Sequence, residues 1–199
     1  MEQARAGANS CGGAKSDKKQ MSQRVPPDEL DYVQIDDALV AAAVRALEAA
    51  ERASLTVVTA ESCTGGLIAT LLSEAPGAAE YFDGGFVCYT PAQKSAALGI
   101  DRGLIESRGA VSEEVARAMV QGALENSEAD IALAVTGVAG PDRDEKGNPV
   151  GLVYIAIARR GGESQCETHK FGEIGRAKIR TKAAKIALAL IETMAKDQA

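Results

Sequence analysis

The chain has 199 residues, of which 46% are hydrophobic and 25% are charged, proportions typical of a soluble globular protein. The formal net charge of −6 argues against a general nucleic-acid-binding protein, and the 4% aromatic content argues against a base-stacking surface. No apolar stretch approaches the ~18 residues that a membrane-spanning helix needs. We therefore expect one folded domain with an appendage, and neither nucleic acid nor a membrane as a partner.

The chain offers few soft metal ligands. It has cysteines only at positions 11, 63, 88 and 166, without CxxC spacing, and a single histidine, His169. A zinc site needs more nitrogen and sulfur ligands than this, although carboxylates alone could hold a hard cation. Free thiols in a reducing compartment fit better than disulfides, so we expect a cytoplasmic protein.

The first 34 residues differ from the rest of the chain. They are rich in glycine, serine, lysine and glutamine, and they lack apolar periodicity. We predict a disordered N-terminal extension over residues 1–34 and a folded domain over 35–199. The extension lacks the apolar core of a secretory signal, but five basic against two acidic side chains in residues 1–24 leave an organelle-targeting arm open.

Apolar periodicity and turn residues predict the elements of the folded part. In chain order, they are a helix near 36–52, a strand over 55–59, a helix near 65–74, a strand ending at 89, helices near 91–98 and 113–126, strands over 131–135, 152–157 and 164–171, and a helix from about 174. Thr90 and Ser112 are predicted N-caps. The final helix carries a predicted core stripe with the spacing of 179, 183, 186, 190 and 194. This order, with its late hairpin, predicts a layered α/β domain with a mixed sheet.

The most informative stretch is residues 59–66 (TAESCTGG), where a predicted strand runs into a helix. The turn presents the hydroxyls of Ser62 and Thr64 beside backbone N–H groups that lack an intrahelical partner. Gly65 and Gly66 let a ligand approach the backbone closely. Such a turn can hold an anion, or an oxygen that becomes one during a reaction.

Ser62 could also be a nucleophile if a base removes its proton. The only histidine, His169, lies in an alternating strand pattern, which leaves Lys94 as the base in a Ser-Lys arrangement. Burial or neighbouring cations would have to keep that lysine neutral. Tyr89 could hydrogen-bond the serine, the lysine or the leaving group. Spacing alone favours the alternative in which Ser62 caps a helix, Lys94 is solvated and Tyr89 is an ordinary strand residue.

Two further features could bind a phosphate. The loop 136–142 (TGVAGPD) could cradle one through N–H groups near Thr136, Gly137 and Gly140, although a plain turn is the alternative. Arg176 and Arg180 share one helical face and suit a phosphate, although a solvated cationic face is equally compatible.

Cys63 and Cys88 flank the proposed centre of the site. A thiol mechanism would need an activating base beside one of them. We expect instead that both are small core residues.

Five motifs in order resemble the CinA C-terminal domain family over roughly residues 37–195. They are residues 60–66 (AESCTGG), 89–94 (YTPAQK), 109–112 (GAVS), 136–141 (TGVAGP) and 171–176 (FGEIGR). The resemblance implies a three-layer α/β/α sandwich and a Ser-Lys amidohydrolase that uses neither a metal nor another cofactor. The characterised activity of the family converts nicotinamide mononucleotide to nicotinate mononucleotide and ammonia.

The resemblance also implies roles for individual residues. Ser62 matches the nucleophile, Lys94 the base and Tyr89 the active-site tyrosine. Thr64 and Thr136 match hydroxyls near the reaction centre, and Arg176 or Arg180 matches arginines near the phosphate. The implied partners are a small nucleotide substrate and further copies of the chain, as a homodimer or higher homo-oligomer. A non-catalytic nucleotide-binding protein linked to competence or DNA damage is the alternative.

Overall fold

A computed structural model describes residues 31–197. Within that range the chain forms seven helices and five strands: α1 (Asp37–Ala53), β1 (Val57–Glu61), α2 (Leu67–Ser73), α3 (Ala78–Tyr81), β2 (Phe82–Val87), α4 (Pro91–Leu98), α5 (Arg102–Arg108), α6 (Glu113–Glu125), β3 (Ile131–Gly137), β4 (Leu152–Arg159), β5 (Gln165–Lys170) and α7 (Arg176–Lys196). No helix in this range is long and apolar enough to cross a membrane. Of the predicted extension 1–34, only the last four residues are described, so its disorder stays a prediction.

The predicted order of elements missed two helices. Helices α3 and α5 have four and seven residues, too few to repeat an apolar period that the sequence would reveal. The prediction that the second strand ends at Tyr89 is also wrong, because its pairing with β1 stops at Val87. Tyr89 therefore lies in the connection that leads into α4.

The five strands form one mixed sheet in the order β2-β1-β3-β4-β5. Strand β1 pairs in parallel with β2 and β3, whereas β4 pairs antiparallel with both β3 and β5. Helices α1, α2 and α7 contact one another on one face, and α4, α5 and α6 do so on the other. The predicted three-layer α/β/α sandwich with a mixed sheet is confirmed.

The two faces of the sheet carry side chains of different size. In β3, Ile131, Leu133 and Val135 face the core under α1 and α7, whereas Ala132 and Ala134 face the core under α6. Small side chains let the second helical layer lie close to the sheet. This is the layer that carries Lys94.

Helix α4 approaches α6 closely because Gly122 of α6 has no side chain. A Cβ at this position would collide with the carbonyl oxygen of Leu98, the last residue of α4. Thr90 caps α4 by accepting the Gln93 amide, and Ser112 caps α6 by accepting the Val115 amide. Both predicted N-caps are confirmed.

Helix α7 begins at Arg176, and its cap comes from a distant part of the chain. Asp31 accepts the amide of Ala177 at 2.9 Å, and Gly175 precedes the helix with φ 95°. Only part of the core stripe that the sequence predicts for this helix is confirmed. Ile179 and Ala183 are fully buried and the other three members pack only at the margin of the core. The buried face continues instead through Ala184, Ala187, Leu188, Ile191 and Ala195.

Candidate functional site

A cavity of about 610 Å³ opens where the carboxyl ends of the parallel strands meet. Ser62 follows β1, Thr136 and Gly137 end β3, and Tyr89 follows β2. All four residues line the cavity, together with Lys94 of α4 and Gly140 of the loop after β3. This position agrees with the rule that α/β sheets bind ligands at the carboxyl ends of their strands.

Ser62 is fixed by its backbone, and its side chain faces the cavity. Its amide donates to the carbonyl of Val135 at 2.9 Å, and its carbonyl accepts the Gly65 amide at 3.1 Å. Within residues 31–197 its hydroxyl has no hydrogen-bond partner, and it does not cap α2, whose N-cap is Gly66. The hydroxyl is therefore available to a molecule in the cavity.

Lys94 is not the solvated lysine that spacing alone favours. It is 1% exposed, and its Nζ donates to Thr136 Oγ1 at 3.1 Å and to Met119 Sδ at 3.2 Å. No carboxylate of the described chain forms an ion pair with it. Burial without an anion disfavours the ammonium form and lowers the pKa of Lys94 from 10.5 to about 8.

The two nearby thiols do not counter this effect at neutral pH. Burial raises the pKa of the Cys63 thiol to about 11, and burial also raises the pKa of Cys88. Both side chains are 5% exposed or less and belong to the cores, as predicted. Since a protonated thiol carries no charge, neither cysteine supplies an anion to Lys94.

Thr136 fixes the direction of the hydrogen bond to Lys94. Its hydroxyl is fully buried and donates its single proton to the carbonyl of Ala110 at 2.8 Å. It can therefore only accept from Lys94 Nζ. A neutral amine has two N–H groups, and Thr136 and Met119 take both. The lone pair of the amine remains for an incoming proton.

Tyr89 and Arg176 lie together in the cavity wall. Tyr89 is 60% exposed, and its hydroxyl accepts Nη2 of Arg176 at 3.3 Å. Nη1 of the same guanidinium donates to the carbonyl of Gly140 at 2.9 Å. One cation thus links the loop after β3 to the loop after β2.

Arg180 points elsewhere, so the structure separates the two arginines. Its Nη2 donates to the carbonyl of Thr64 at 2.6 Å, beneath the turn before α2, and it does not line the cavity. Thr64, Gly65 and Gly66 are likewise outside the cavity wall. Of the residues predicted to bind substrate, the structure brings only Thr136, Gly137, Gly140 and Arg176 to the cavity.

The glycine-rich turn is less open than its sequence suggests. The amides of Gly65 and Gly66 are engaged by the Ser62 carbonyl and the Glu61 carboxylate, respectively. The amides of Cys63 and Thr64 have no acceptor in the described chain. Those two N–H groups are the free donors of the turn.

Glu61, which the sequence analysis did not single out, organises this turn. It is fully buried, and its carboxylate accepts the amides of Gly66, Ile68 and Ala69 at 3.0, 3.1 and 2.7 Å. Its signal in the sequence is a carboxylate at the last position of an otherwise uncharged strand, VVTAE.

The outer wall of the cavity was also missed. Helix α5 contributes Ile105 and Glu106, and the loop after β3 contributes several charged side chains. Lys146 Nζ donates to the Glu106 carbonyl at 2.8 Å, and Asn148 donates to the Val111 carbonyl at 3.2 Å. His169, by contrast, lies on β5, where it contacts Glu167 and Phe171 and not the cavity.

Comparisons with known proteins indicate the family of the chain. The chain matches the family model described as CinA C-terminal domain over residues 38–195. A CinA-like protein of Geobacter sulfurreducens is 47% identical over 134 residues, covering 67% of this chain and 32% of the relative. One of Syntrophomonas wolfei is 45% identical over 141 residues, covering 71% and 33%. The chain thus spans about a third of the length of the curated relatives it matches.

Solved structures resemble the fold over nearly their full length. The competence/damage inducible protein CihA of Agrobacterium tumefaciens aligns with a TM-score of 0.77 and 38% identity, over 81% of this chain and 98% of that one. A CinA superfamily protein of Escherichia coli aligns with a TM-score of 0.74 and 30% identity, over 83% and 95%.

Proposed function

Because this chain belongs to the CinA C-terminal domain family, we propose that it hydrolyses the carboxamide of nicotinamide mononucleotide to nicotinate mononucleotide and ammonia through a Ser-Lys acyl-enzyme. Such a reaction would serve pyridine nucleotide salvage. The observation that carries the proposal is Lys94, a buried lysine with a lowered pKa in the same cavity wall as Ser62.

Attack on the amide requires a base and a site for the oxyanion. Ser62 Oγ adds to the amide carbon while the lone pair of neutral Lys94 takes the hydroxyl proton. The amide of Cys63, a residue of the cavity wall, has no other acceptor in the described chain and suits the oxygen that becomes negative. The ring of the substrate is a pyridinium, which withdraws electrons and favours this addition.

Collapse of the tetrahedral intermediate releases ammonia. The C–N bond breaks while the Lys94 ammonium returns its proton to the departing nitrogen, which leaves an ester on Ser62. Water then adds to the ester as Lys94 accepts one of its protons, and Ser62 leaves with that proton. Amide and water are thus converted to acid and ammonia without a net change in the enzyme.

The walls of the cavity suit a small nucleotide. Its volume lies within the ~300–1,000 Å³ usual for small-molecule sites. Of the two arginines expected near the phosphate, Arg176 lines the cavity and Arg180 does not, so we assign the phosphate to Arg176 and the loop of Gly137 and Gly140. Tyr89 lines the cavity and is largely exposed, and we assign it a contact with the ribose or with the departing ammonia.

The test is ammonia release from nicotinamide mononucleotide by wild type, Ser62→Ala and Lys94→Ala in the presence of EDTA. We expect wild type to turn over and both variants to lose about 10³-fold or more in kcat. Ser73→Ala and Lys185→Ala are matched controls, because both side chains lie on the surface away from the cavity, and they should behave as wild type.

Binding measurements distinguish the regulatory alternative. If wild type and Ser62→Ala bind the nucleotide equally and neither releases ammonia, the chain is a nucleotide-binding protein and the amidase proposal fails. We also propose that the protein is cytoplasmic and forms a homodimer or a larger homo-oligomer. Light scattering on the purified protein measures its oligomeric state.

A further inference from the structure

The turn that carries Ser62 is held by a buried carboxylate, Glu61, and a half-buried guanidinium, Arg180, neither of which lines the cavity. Glu61 immediately precedes the serine, and its carboxylate lies against the first amides of α2. Arg180 reaches the same turn from α7 and binds the carbonyl of Thr64. One group therefore anchors the N–H side of the turn and the other anchors a carbonyl.

Glu61 replaces a cap that the sequence of α2 does not supply. The N-cap of this helix is Gly66, with φ 87° and no side chain to accept an amide. Three amides would remain unpaired without the Glu61 carboxylate, and charge-assisted hydrogen bonds are about twice as strong as neutral ones. Thr59 Oγ1 also donates to this carboxylate, at 3.4 Å. All these hydrogen bonds of the Glu61 carboxylate are made within the protein. Glu61 therefore stabilises the conformation of the turn and does not bind a ligand.

The consequence concerns the free amide of Cys63, the residue of this turn that follows Ser62 in the cavity wall. The amide of Gly65 donates to the Ser62 carbonyl and the amide of Gly66 donates to the Glu61 carboxylate. Arg180 donates to the Thr64 carbonyl. These contacts fix the orientation of the peptide groups that follow Ser62 and Thr64, so the amide of Cys63 stays unpaired beside the serine and in the cavity wall. A donor contributes to an oxyanion site only when its position is fixed in advance.

We propose that Glu61 and Arg180 are positioning residues that hold the Ser62 turn in its reactive shape. The inference rests on the proposed function, since Ser62 is its nucleophile. Neither residue touches the substrate, so their loss lowers kcat and leaves KM nearly unchanged. Arg176 behaves in the opposite way, because a phosphate ligand contributes to binding in the ground state.

The test compares wild type with Glu61→Gln, Arg180→Met and Arg180→Lys. We expect about tenfold or greater loss of kcat in the first two, with KM within about twofold. Lysine still offers one donor to a single carbonyl, so Arg180→Lys should recover most of the activity. The activity inflection near pH 8, which belongs to Lys94, should be unchanged in all of them.

Asp130→Asn is the matched control. The Asp130 carboxylate accepts the amide and the hydroxyl of Thr56 at 2.9 and 3.0 Å, at the opposite end of β1. This variant should lose stability without losing kcat. If Asp130→Asn and Glu61→Gln lower kcat equally, or if neither Glu61→Gln nor Arg180→Met lowers it, the positioning role is wrong although the amidase function stands. Arg180→Met tests the same turn if Glu61→Gln does not fold.

Labelling with an alkyl fluorophosphonate separates the two proposals. Ser62 Oγ forms a bond to phosphorus, fluoride leaves, and the hydroxyl proton passes to Lys94. If wild type releases no ammonia, the amidase proposal fails, but labelling of Ser62 that is about tenfold slower in Glu61→Gln still supports the positioning role. Equal labelling in both proteins, or none in wild type, overturns it.

Discussion

At the level of the residue, Lys94 has the most unusual surroundings for its side-chain type. A lysine usually lies with its ammonium in water, but here it is buried against a hydroxyl and a thioether. Neither partner carries a charge, so the protein does not compensate the ammonium. The same desolvation that lowers the pKa of Lys94 must therefore cost stability when the lysine is protonated.

The activity should follow the deprotonation of Lys94. Since its pKa is about 8, the neutral fraction rises tenfold per pH unit below that value and then levels off. We expect kcat/KM for ammonia release to rise between pH 6 and 8 and to reach a plateau above. Lys94→Arg should be inactive at every pH, because a guanidinium stays protonated. A profile that is flat across this range would exclude Lys94 as the base.

Stability should respond in a defined pH window. Below about pH 8 the folded and the unfolded chain both bind the Lys94 proton, so the full cost of burial is present. Between about 8 and 10.5 only the unfolded chain binds it, so the stability of wild type rises with pH.

Lys94→Met removes this dependence. We expect its free energy of unfolding at pH 7 to exceed that of wild type by as much as about 3 kcal/mol, the equivalent of the lowered pKa. Urea titrations of both proteins at pH 7 and pH 10 measure the difference, which should shrink at the higher pH. Other titrating groups are common to both proteins and cancel. A difference that grows with pH would contradict the burial argument.

At the level of elements, the site depends on how closely α4 lies against α6. Lys94 is on α4, and Met119, which accepts one of its N–H groups, is on α6. The alanines of β3 beneath them and Gly122 between them permit this approach. A short α4 thus positions its lysine through contacts made by its neighbours.

Gly122→Ala tests this dependence. The new methyl group would collide with the backbone of Leu98, so α4 has to shift away from α6. We expect a loss of about 1–3 kcal/mol in the free energy of unfolding and a fall in kcat. Gly162→Ala is the control, because a methyl group there meets only ordinary contacts in the turn before β5. Unchanged ammonia release by Gly122→Ala would show that the helix spacing does not matter to the site.

At the level of the whole molecule, β3 connects the two cores and the cavity. It lies between β1 and β4 in the sheet. Its odd-numbered side chains enter one core and its even-numbered alanines enter the other, and Thr136, near the end of the strand, lines the cavity. Damage to either core should therefore reach the site through one strand. We expect the described domain to unfold as a single cooperative unit.

Leu133→Ala tests this cooperativity. Leu133 is fully buried, so the substitution should cost about 2–5 kcal/mol. Far-UV circular dichroism and ammonia release should be lost at the same urea concentration. Val40→Ala, on the exposed side of α1, should change little. Loss of activity well before loss of circular dichroism would contradict a single unit.

Local features of the chain were readable from the sequence. Thr90 and Ser112 were identifiable as caps because a cap depends on neighbours three residues away. The layered mixed sheet followed from the order of elements and a hairpin. The five motifs, taken in their order, were sufficient to indicate the family, since each is a short pattern along the chain.

Contacts between distant residues could not be read in this way. The burial of Lys94 depends on Met119 and Thr136, and the cap of α7 comes from Asp31. Arg176 and Arg180 looked equivalent along one helix, yet they reach different loops, one in the cavity and one beneath the serine. Desolvation and hydrogen bonding act between residues that are close in space but distant in the chain. The lowered pKa of Lys94 and the different contacts of the two arginines therefore arise only when the layers pack together.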